Sequence, residues 1–254
     1  MRTYTRLTQL ARQAEATRSW QRWREQRRAI IRSRELSRVE RELLERQGLL
    51  LEIVKGWYFI CPSAEPENNL AAWHGSFWRF CSEYLNERFA DGWCLAPDTS
   101  LCLHAGNWTM PSQVLVCVNK SVNRSVRLPL GRSLLNSTQA LPEPGDLEVH
   151  RDLRTFKLEA ALVNASPEFY AANPEDARSL LGHLATQECD IARLTAGDNH
   201  SGVGRLIGAL EHIGAEQKAQ ELRQAVRAAG HTTRVINPFT HHFPWKMAPT
   251  GIQP

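Results

Sequence analysis

Residues 33–61 have the sequence SRELSRVERELLERQGLLLEIVKGWYFIC, which contains a helix start, a helix stop and two β-rich runs. Ser37 and Glu40 have the Ser-x-x-Glu spacing of a capping box, which marks the first turn of a helix. Gly48 occupies the position at which a left-handed residue commonly ends a helix. The runs LLLEIV and WYFIC favour two strands, and Lys55-Gly56 between them suits a hairpin tip. With a helix in front of it, this order predicts a winged helix-turn-helix.

The segment in front of this stretch is basic. Residues 1–31 favour a helix with arginine on several faces, followed by a short break at Arg32-Ser33. Residues 1–60 hold 14 Lys and Arg against 7 Asp and Glu, a net charge of +7, whereas residues 61–254 hold 17 against 20, a net charge of −3. A basic head on a nearly neutral body is typical of nucleic-acid binding. A solvated, arginine-rich helix is the alternative explanation.

The predicted DNA contacts follow from the way a winged helix docks. Its recognition helix enters the major groove with the N-terminal residues, and the wing tip follows the phosphate backbone. Arg38 and Arg41 lie three residues apart, so they share a face, and it is not the face predicted to bury Val39. Arginine binds phosphate and also makes bidentate contacts with guanine. The predicted DNA-binding residues are Arg34, Ser37, Arg38, Arg41 and Lys55.

Three carboxylates in the same predicted helix leave another interpretation open. Glu40, Glu42 and Glu45 offset much of the local positive charge. With that charge offset, the segment could dock a protein instead of DNA, or it could be a surface helix rich in ion pairs.

The remainder of the chain predicts an α+β body. Residues 62–69, PSAEPENN, are typical of a linker, and the apolar residues of 70–89 recur at helical spacing. Short strands and further helices follow, and two helices that split near Gly214 end the body. We therefore predict a winged-helix head over 1–62, a mixed α/β body with a helical C-terminal part over 63–240, and a loose tail over 241–254.

The sequence contains no motif that predicts catalysis. Its cysteines and histidines lack metal-ligand spacing, and it has no phosphate-binding loop or nucleophile elbow. Gly202, Gly204 and Gly208 imitate a dinucleotide fingerprint, but the last step is one residue too long and no strand is predicted before them. We interpret these glycines as points of close helix packing. The expectation is a protein that is not an enzyme, with no catalytic residue, metal or cofactor.

Two features predict a cytoplasmic location. The N-terminus, MRTYTRLTQLARQAEATRSWQRW, has no apolar segment of the length that a signal peptide requires. The six cysteines are scattered without a Cys-x-x-Cys pair, which is typical of reduced core residues in a cytosolic protein.

Several segments of the chain resemble one known family. They include KGWYFI (55–60), AAWHGSFWRFCSEYLNERF (71–89), DGWCLAPDTSLCLHAGNWTMPSQVLV (91–116), LPLGRSLLN (128–136) and FKLEAALVNASPEFYAANPEDAR (156–178). These segments are similar to the N-terminal region of large bacterial Fic-family proteins. That region is similar in turn to AbiE-type antitoxins, which pair an N-terminal winged helix with an α/β antitoxin domain.

The resemblance also has a functional implication, because one motif is missing. Fic proteins transfer AMP with a His-Pro-Phe-x-x-Gly-Asn-Gly-Arg motif, and Asn237-Pro238-Phe239 has neither its His nor its glycine-rich end. The resemblance therefore implies a non-catalytic, antitoxin-type regulator that binds double-stranded DNA at its own promoter and a cognate toxin or Fic-type protein. The alternative is a protein-interaction module of a split or truncated Fic-family AMP-transferase.

Overall fold

The computed structural model describes residues 2–119, 125–137, 140–196 and 199–240. The protein has an α+β fold, as the sequence predicts. Within this described part, no helix is both long enough and apolar enough to cross a membrane. The predicted loose tail over 241–254 lies outside the described residues.

The chain forms two compact units. The first combines the described residues of 1–94, 109–141 and 149–154, and the second combines those of 95–108, 142–148 and 155–254. The first unit continues past residue 62, where we placed the end of the head. The boundaries at 62 and 240 stay predictions.

The helices and strands alternate along the first unit and helices dominate the second. The elements up to Ser137 are α1 (Arg2–Glu25), β1 (Ile30–Arg32), α2 (Arg38–Arg46), β2 (Leu50–Val54), β3 (Trp57–Ile60), α3 (Pro66–Phe89), β4 (Trp93–Leu95), α4 (Pro97–His104), β5 (Gln113–Val118), β6 (Ser125–Leu128) and β7 (Arg132–Ser137). The elements after it are β8 (Leu147–His150), β9 (Leu153–Phe156), α5 (Leu158–Asn164), α6 (Pro167–Ala172), α7 (Pro174–Thr186), α8 (Ile191–Ala196), α9 (His200–His212) and α10 (Glu216–Ala228).

The first helix is shorter than the sequence predicts. α1 ends at Glu25, and Arg27 has a left-handed backbone with a φ of 54°. Ile30–Arg32 then forms β1, which pairs antiparallel with β3, so the prediction of helix as far as residue 31 is wrong. Ile30 and Ile31 are β-branched, which favours a strand, and both are buried.

The first three strands form a sheet in the order β1-β3-β2. β2 and β3 are the predicted hairpin, with Lys55-Gly56 between them, and Gly56 has a φ of 84° that favours glycine. The hairpin prediction is confirmed. Because β3 is the central strand, both of its edges are paired and it organises the head.

The side chains of β3 are buried on both faces of this sheet. Tyr58 and Ile60 belong to an apolar cluster with residues of α1, β1, α2 and β2. Trp57 and Phe59 alternate with them and contact aromatic rings of α3, for example Trp73 at 5.5 Å from Phe59 between ring centroids. The predicted apolar face of 70–89 is therefore a core face, which explains why the first unit includes α3.

A second sheet in the first unit has the order β4-β5-β7-β6, with β5 and β7 parallel and β6 and β7 antiparallel. The sequence predicts β5 and β6 but neither β4 nor β7. α3 begins at Pro66, so the predicted linker over 62–69 extends only to Glu65. Proline is well tolerated in the first turn of a helix, because its missing N–H would have no partner there.

The second unit contains the glycine run of the sequence in α9. A Cβ atom on Gly204 would lie 2.2 Å from the carbonyl oxygen of Arg234, and one on Gly208 would lie 2.3 Å from that of Ile236. The Ile236 N–H donates to the carbonyl oxygen of Gly204 at 3.3 Å. The glycines therefore allow close packing, as predicted, but Gly204 and Gly208 meet an extended segment after α10 and not another helix.

Replacing Gly208 with alanine is expected to lower the free energy of unfolding by about 2 kcal/mol, since the new methyl group would overlap backbone atoms that cannot move independently. The matched control is Gly182→Ala in α7, where a Cβ would have no atom within 4 Å. That change is expected to stabilise the protein by roughly 1 kcal/mol through helix propensity. Urea unfolding followed by circular dichroism measures both, and a Gly208→Ala protein as stable as the wild type would contradict the packing argument.

Candidate nucleic-acid interface

The start of α2 is fixed by a capping box between its first residues. The Ser37 Oγ accepts a hydrogen bond from the Glu40 N–H at 3.2 Å, and the Glu40 carboxylate accepts one from the Ser37 N–H at 2.9 Å. Two backbone N–H groups that the helix cannot satisfy are thereby paired. Gly48, with a φ of 69°, follows the end of the helix. Both ends of the predicted helix are confirmed.

A contact with α1 holds the N-terminal turn of α2 in place. The Ser19 hydroxyl donates to the Glu40 carboxylate at 2.9 Å, so Glu40 both caps α2 and binds α1. Burial by itself would raise the pKa of Glu40, but the hydrogen bonds from Ser37 and Ser19 outweigh it, and the pKa is lowered. Leu44, one turn further along, is fully buried in the head core. The exposed face of α2 is therefore set by contacts on its opposite side.

The exposed face of α2 carries two of the predicted DNA-binding arginines. The Arg38 side chain is 83% exposed, and Arg41 is half-buried. Val39 is 41% exposed, so the prediction that it lies on the core face is wrong. Leu43 and Leu44 supply the apolar contact that Val39 does not make.

One carboxylate neutralises part of this basic face. The Glu42 side chain accepts a hydrogen bond from Arg38 at 2.8 Å and lies 3.5 Å from Arg46, each at the i,i+4 spacing. The hydrogen bond with Glu42 raises the pKa of Arg38, and the same bond lowers the pKa of Glu42. Because these side chains are exposed, the pairing is weak and can be exchanged for contact with another anion.

The hairpin tip is joined to the turn in front of α2. The Ser33 N–H donates to the carbonyl oxygen of Gly56 at 2.9 Å, so the tip lies against the short 3₁₀ turn Ser33–Glu35. Lys55 is exposed at this tip. Arg34, in the turn, is 74% exposed and lies 3.5 Å from Glu87 of α3. Lys55 and Arg34 therefore belong to neighbouring parts of one surface.

Arg32 is a member of this region that the sequence analysis missed. Its guanidinium lies over the ring of Trp57, 3.2 Å from the centroid, and forms an ion pair with Glu87. Burial lowers the pKa of Arg32, and the charge of Arg34 adds to this. No local spacing predicts the Arg32–Glu87 ion pair, because Glu87 is more than 50 residues from Arg32 in the sequence. The Arg38–Glu42 pair differs, since its i,i+4 spacing on a helix is enough to predict it.

Across the described residues, no group of three His, Cys, Asp or Glu side chains could hold a metal ion. No disulfide joins any of the six cysteines, all of which lie in the described part of the chain. Burial raises the pKa of each of them, for example to about 11 for Cys61. A thiol with a raised pKa is a poor nucleophile, since the thiolate is the reactive form.

The comparisons with known proteins address the fold alone. The sequence matches no protein-family model and no curated protein sequence. The chain is similar to the crystal structure of the RV2827C protein from Mycobacterium tuberculosis, with a TM-score of 0.50 and 20% sequence identity. The similarity covers 87% of this chain and 83% of that one. At this level of identity it supports a shared fold, and the resemblance to Fic and AbiE proteins stays a prediction.

Replacing Ser37 with alanine is expected to lower the free energy of unfolding by about 1 kcal/mol, because the Glu40 N–H loses its acceptor. Ser37→Asp is the matched control, since an aspartate can accept the same hydrogen bond and should retain most of the stability. Chemical unfolding monitored by circular dichroism distinguishes the two variants. Equal loss in both would show that the cap does not depend on an acceptor at this position.

Proposed function

We propose that the protein is a cytoplasmic, non-catalytic regulator that binds duplex DNA through α2 and the β2–β3 hairpin and represses its own operon in the manner of an antitoxin. The observation that carries this proposal is the start of α2, where Arg38 and Val39 are exposed and Arg41 is half-buried, ahead of a hairpin whose tip carries Lys55. The basic charge of residues 1–60 supports the same function.

The proposed head is a winged helix. In support, a helix, a strand, a second helix and a hairpin follow each other, and the strands have the order β1-β3-β2. The 3₁₀ turn Ser33–Glu35 occupies the position between β1 and α2, where many helix-turn-helix proteins have a further helix. In this proposal α2 is the recognition helix and the hairpin is the wing.

The side chains divide into two kinds of contact. Arg38 and Arg41 at the start of α2 would bind base edges or phosphate, and the exposed Val39 between them would suit the methyl group of thymine. Lys55 and Arg34 would bind the phosphate backbone beside the hairpin tip. Ser37 would act mainly by holding the helix start in place, because its hydroxyl already serves as the cap.

Charge reversal at Arg38 and Arg41 together should abolish preferential binding to DNA from upstream of the gene. In fluorescence anisotropy over a salt series, the loss of two phosphate contacts is expected to reduce the slope of log K against log salt by about two. The matched control is Arg227→Glu with Arg234→Glu, two exposed arginines outside the proposed interface that give the same change in net charge. A folded wild-type protein that binds no duplex DNA at low salt, or a control that loses binding equally, would contradict the proposal.

Glu42 gives a second test, in the opposite direction. Glu42→Gln removes the carboxylate that pairs with Arg38 and Arg46, and it also removes a negative charge facing the phosphates. A charge about 7 Å from a phosphate in water is worth roughly 0.6 kcal/mol, so DNA binding should become about threefold tighter at low salt. Glu45→Gln is the matched control, because it neutralises another carboxylate of α2 without releasing either arginine. If Glu42→Gln binds no more tightly than Glu45→Gln, the Glu42 carboxylate does not compete with DNA for Arg38.

A second candidate function is a protein-interaction module that restrains a toxin or a Fic-type enzyme. The ion pairs of the head favour it, since Arg28, Arg34 and Arg38 are each paired with a carboxylate. Such a module would bind a partner protein with no dependence on DNA sequence. Co-expression with the product of a neighbouring gene, followed by size-exclusion chromatography, separates the two functions.

A further inference from the structure

Helix α1 carries positive charge that the DNA contacts described so far do not use. Arg18 and Arg22 are exposed, and neither forms an ion pair within the part of the chain that the structure describes. They are four residues apart, so they lie on the same face of α1. Arg38 and Arg46 of α2 differ, because both lie beside the Glu42 carboxylate. The two arginines of α1 therefore keep a full positive charge at the surface, whereas the charge on α2 is partly compensated.

The segment of α1 between Arg18 and Arg22 lies beside the start of α2. It contains Ser19, whose hydroxyl donates to the Glu40 carboxylate at 2.9 Å, and Glu40 in turn caps the first turn of α2. The charge of Arg22 contributes to the lowered pKa of Glu40, which agrees with this placement. α1 thus brings its arginines to the same end of α2 that carries Arg38.

The part of α1 in front of this segment has no packed face. Each of residues 10–15 is exposed, and six consecutive residues cover more than one full turn of a helix. Most helical stability in proteins comes from tertiary packing, so a helix without a packed face is only marginally stable in water. Contact with a partner would therefore stabilise α1.

The charge of α1 indicates the chemistry of this partner. Residues 2–25 hold six arginines against two glutamates. A second copy of the helix would bring a like charge, whereas duplex DNA carries one negative charge per roughly 1.7 Å of its length. We propose that α1 is a second DNA-binding element, in which Arg18 and Arg22 bind phosphates of the same duplex that α2 contacts. This inference rests on the proposed function, because it requires α2 to bind DNA.

Replacing both Arg18 and Arg22 with glutamine removes two phosphate contacts and keeps residues that favour a helix. In fluorescence anisotropy with DNA from upstream of the gene, the slope of log K against log salt should fall by about two, and the affinity near 0.1 M salt should fall roughly 10- to 50-fold. Phosphate contacts carry no sequence information, so the preference for this DNA over a scrambled duplex should stay unchanged. The matched control is Arg227→Gln with Arg234→Gln, which makes the same change in net charge at exposed positions of the second unit and should bind as the wild type does.

A pair of single variants separates a direct contact from a general effect of charge. Arg22 and Arg24 are two residues apart and therefore about 200° apart around the helix, and Arg24 lies over the ring of Trp20. Arg22→Gln should lower the salt slope by about one, and Arg24→Gln should leave it unchanged. Circular dichroism checks that the variants are folded. Equal effects of the two substitutions would overturn the proposal, because no face of α1 would then be distinguished.

Failure of this proposal can be told from failure of the proposed function. A folded wild-type protein that binds no duplex DNA at low salt would overturn both. If charge reversal at Arg38 and Arg41 abolishes binding but Arg18→Gln with Arg22→Gln keeps the wild-type salt slope, α2 binds DNA and α1 does not. That result would overturn the role of α1 alone and would direct the search for its partner to acidic proteins.

Discussion

Strand β3 is buried on both faces, and the arrangement of the first unit depends on this. Tyr58 and Ile60 pack into the head core, while Trp57 and Phe59 pack against the aromatic face of α3. Side chains alternate along a strand, so a shift of one residue in register would exchange the two sets and place each against the wrong layer. Neither α3 nor the head can therefore move without disturbing the other, and the hairpin and α2 are held in a defined orientation.

This constraint positions the proposed DNA-binding surface. The β2–β3 hairpin tip is bonded to the turn before α2, and α2 is bonded to α1 through Glu40. Three elements that are separate in sequence therefore present Arg38, Arg41 and Lys55 from one rigid support. A backbone that is already held in place does not have to be ordered when these side chains bind a ligand, which lowers the entropic cost of binding.

The electrostatics of the surface are more balanced than its arginine content suggests. Glu42 and Glu87 each lie beside two arginines, so part of the positive charge is already compensated. Exposed ion pairs of this kind contribute little to stability. In the proposed function they would instead moderate nonspecific attraction to DNA, because the arginines must exchange a carboxylate for a phosphate.

The same packing leaves space at one corner of the first unit. A pocket of about 350 Å³ lies where the end of α2, the start of β2 and the start of α3 meet, and the exposed leucines at its mouth leave apolar surface in water. In the second unit, Gly204 and Gly208 of α9 leave no room for a Cβ, because the backbone of the segment after α10 lies directly against the helix.

The sequence by itself determined the features that depend on near neighbours. The capping box of Ser37 and Glu40, the left-handed Gly48, the hairpin at Lys55-Gly56 and the break at Gly214 are set by residues at most a few positions apart, and local conformational preferences suffice to predict them. Only the tertiary structure decided the rest. β1 and β4 have three residues each and become strands by pairing with strands later in the chain, and β7 lies between β5 and β6 in the sheet. The exposure of Val39 depends on how α1 packs on α2, and Glu87 reaches Arg34 across the fold. These outcomes depend on contacts between residues far apart in the chain, for which local patterns carry no signal.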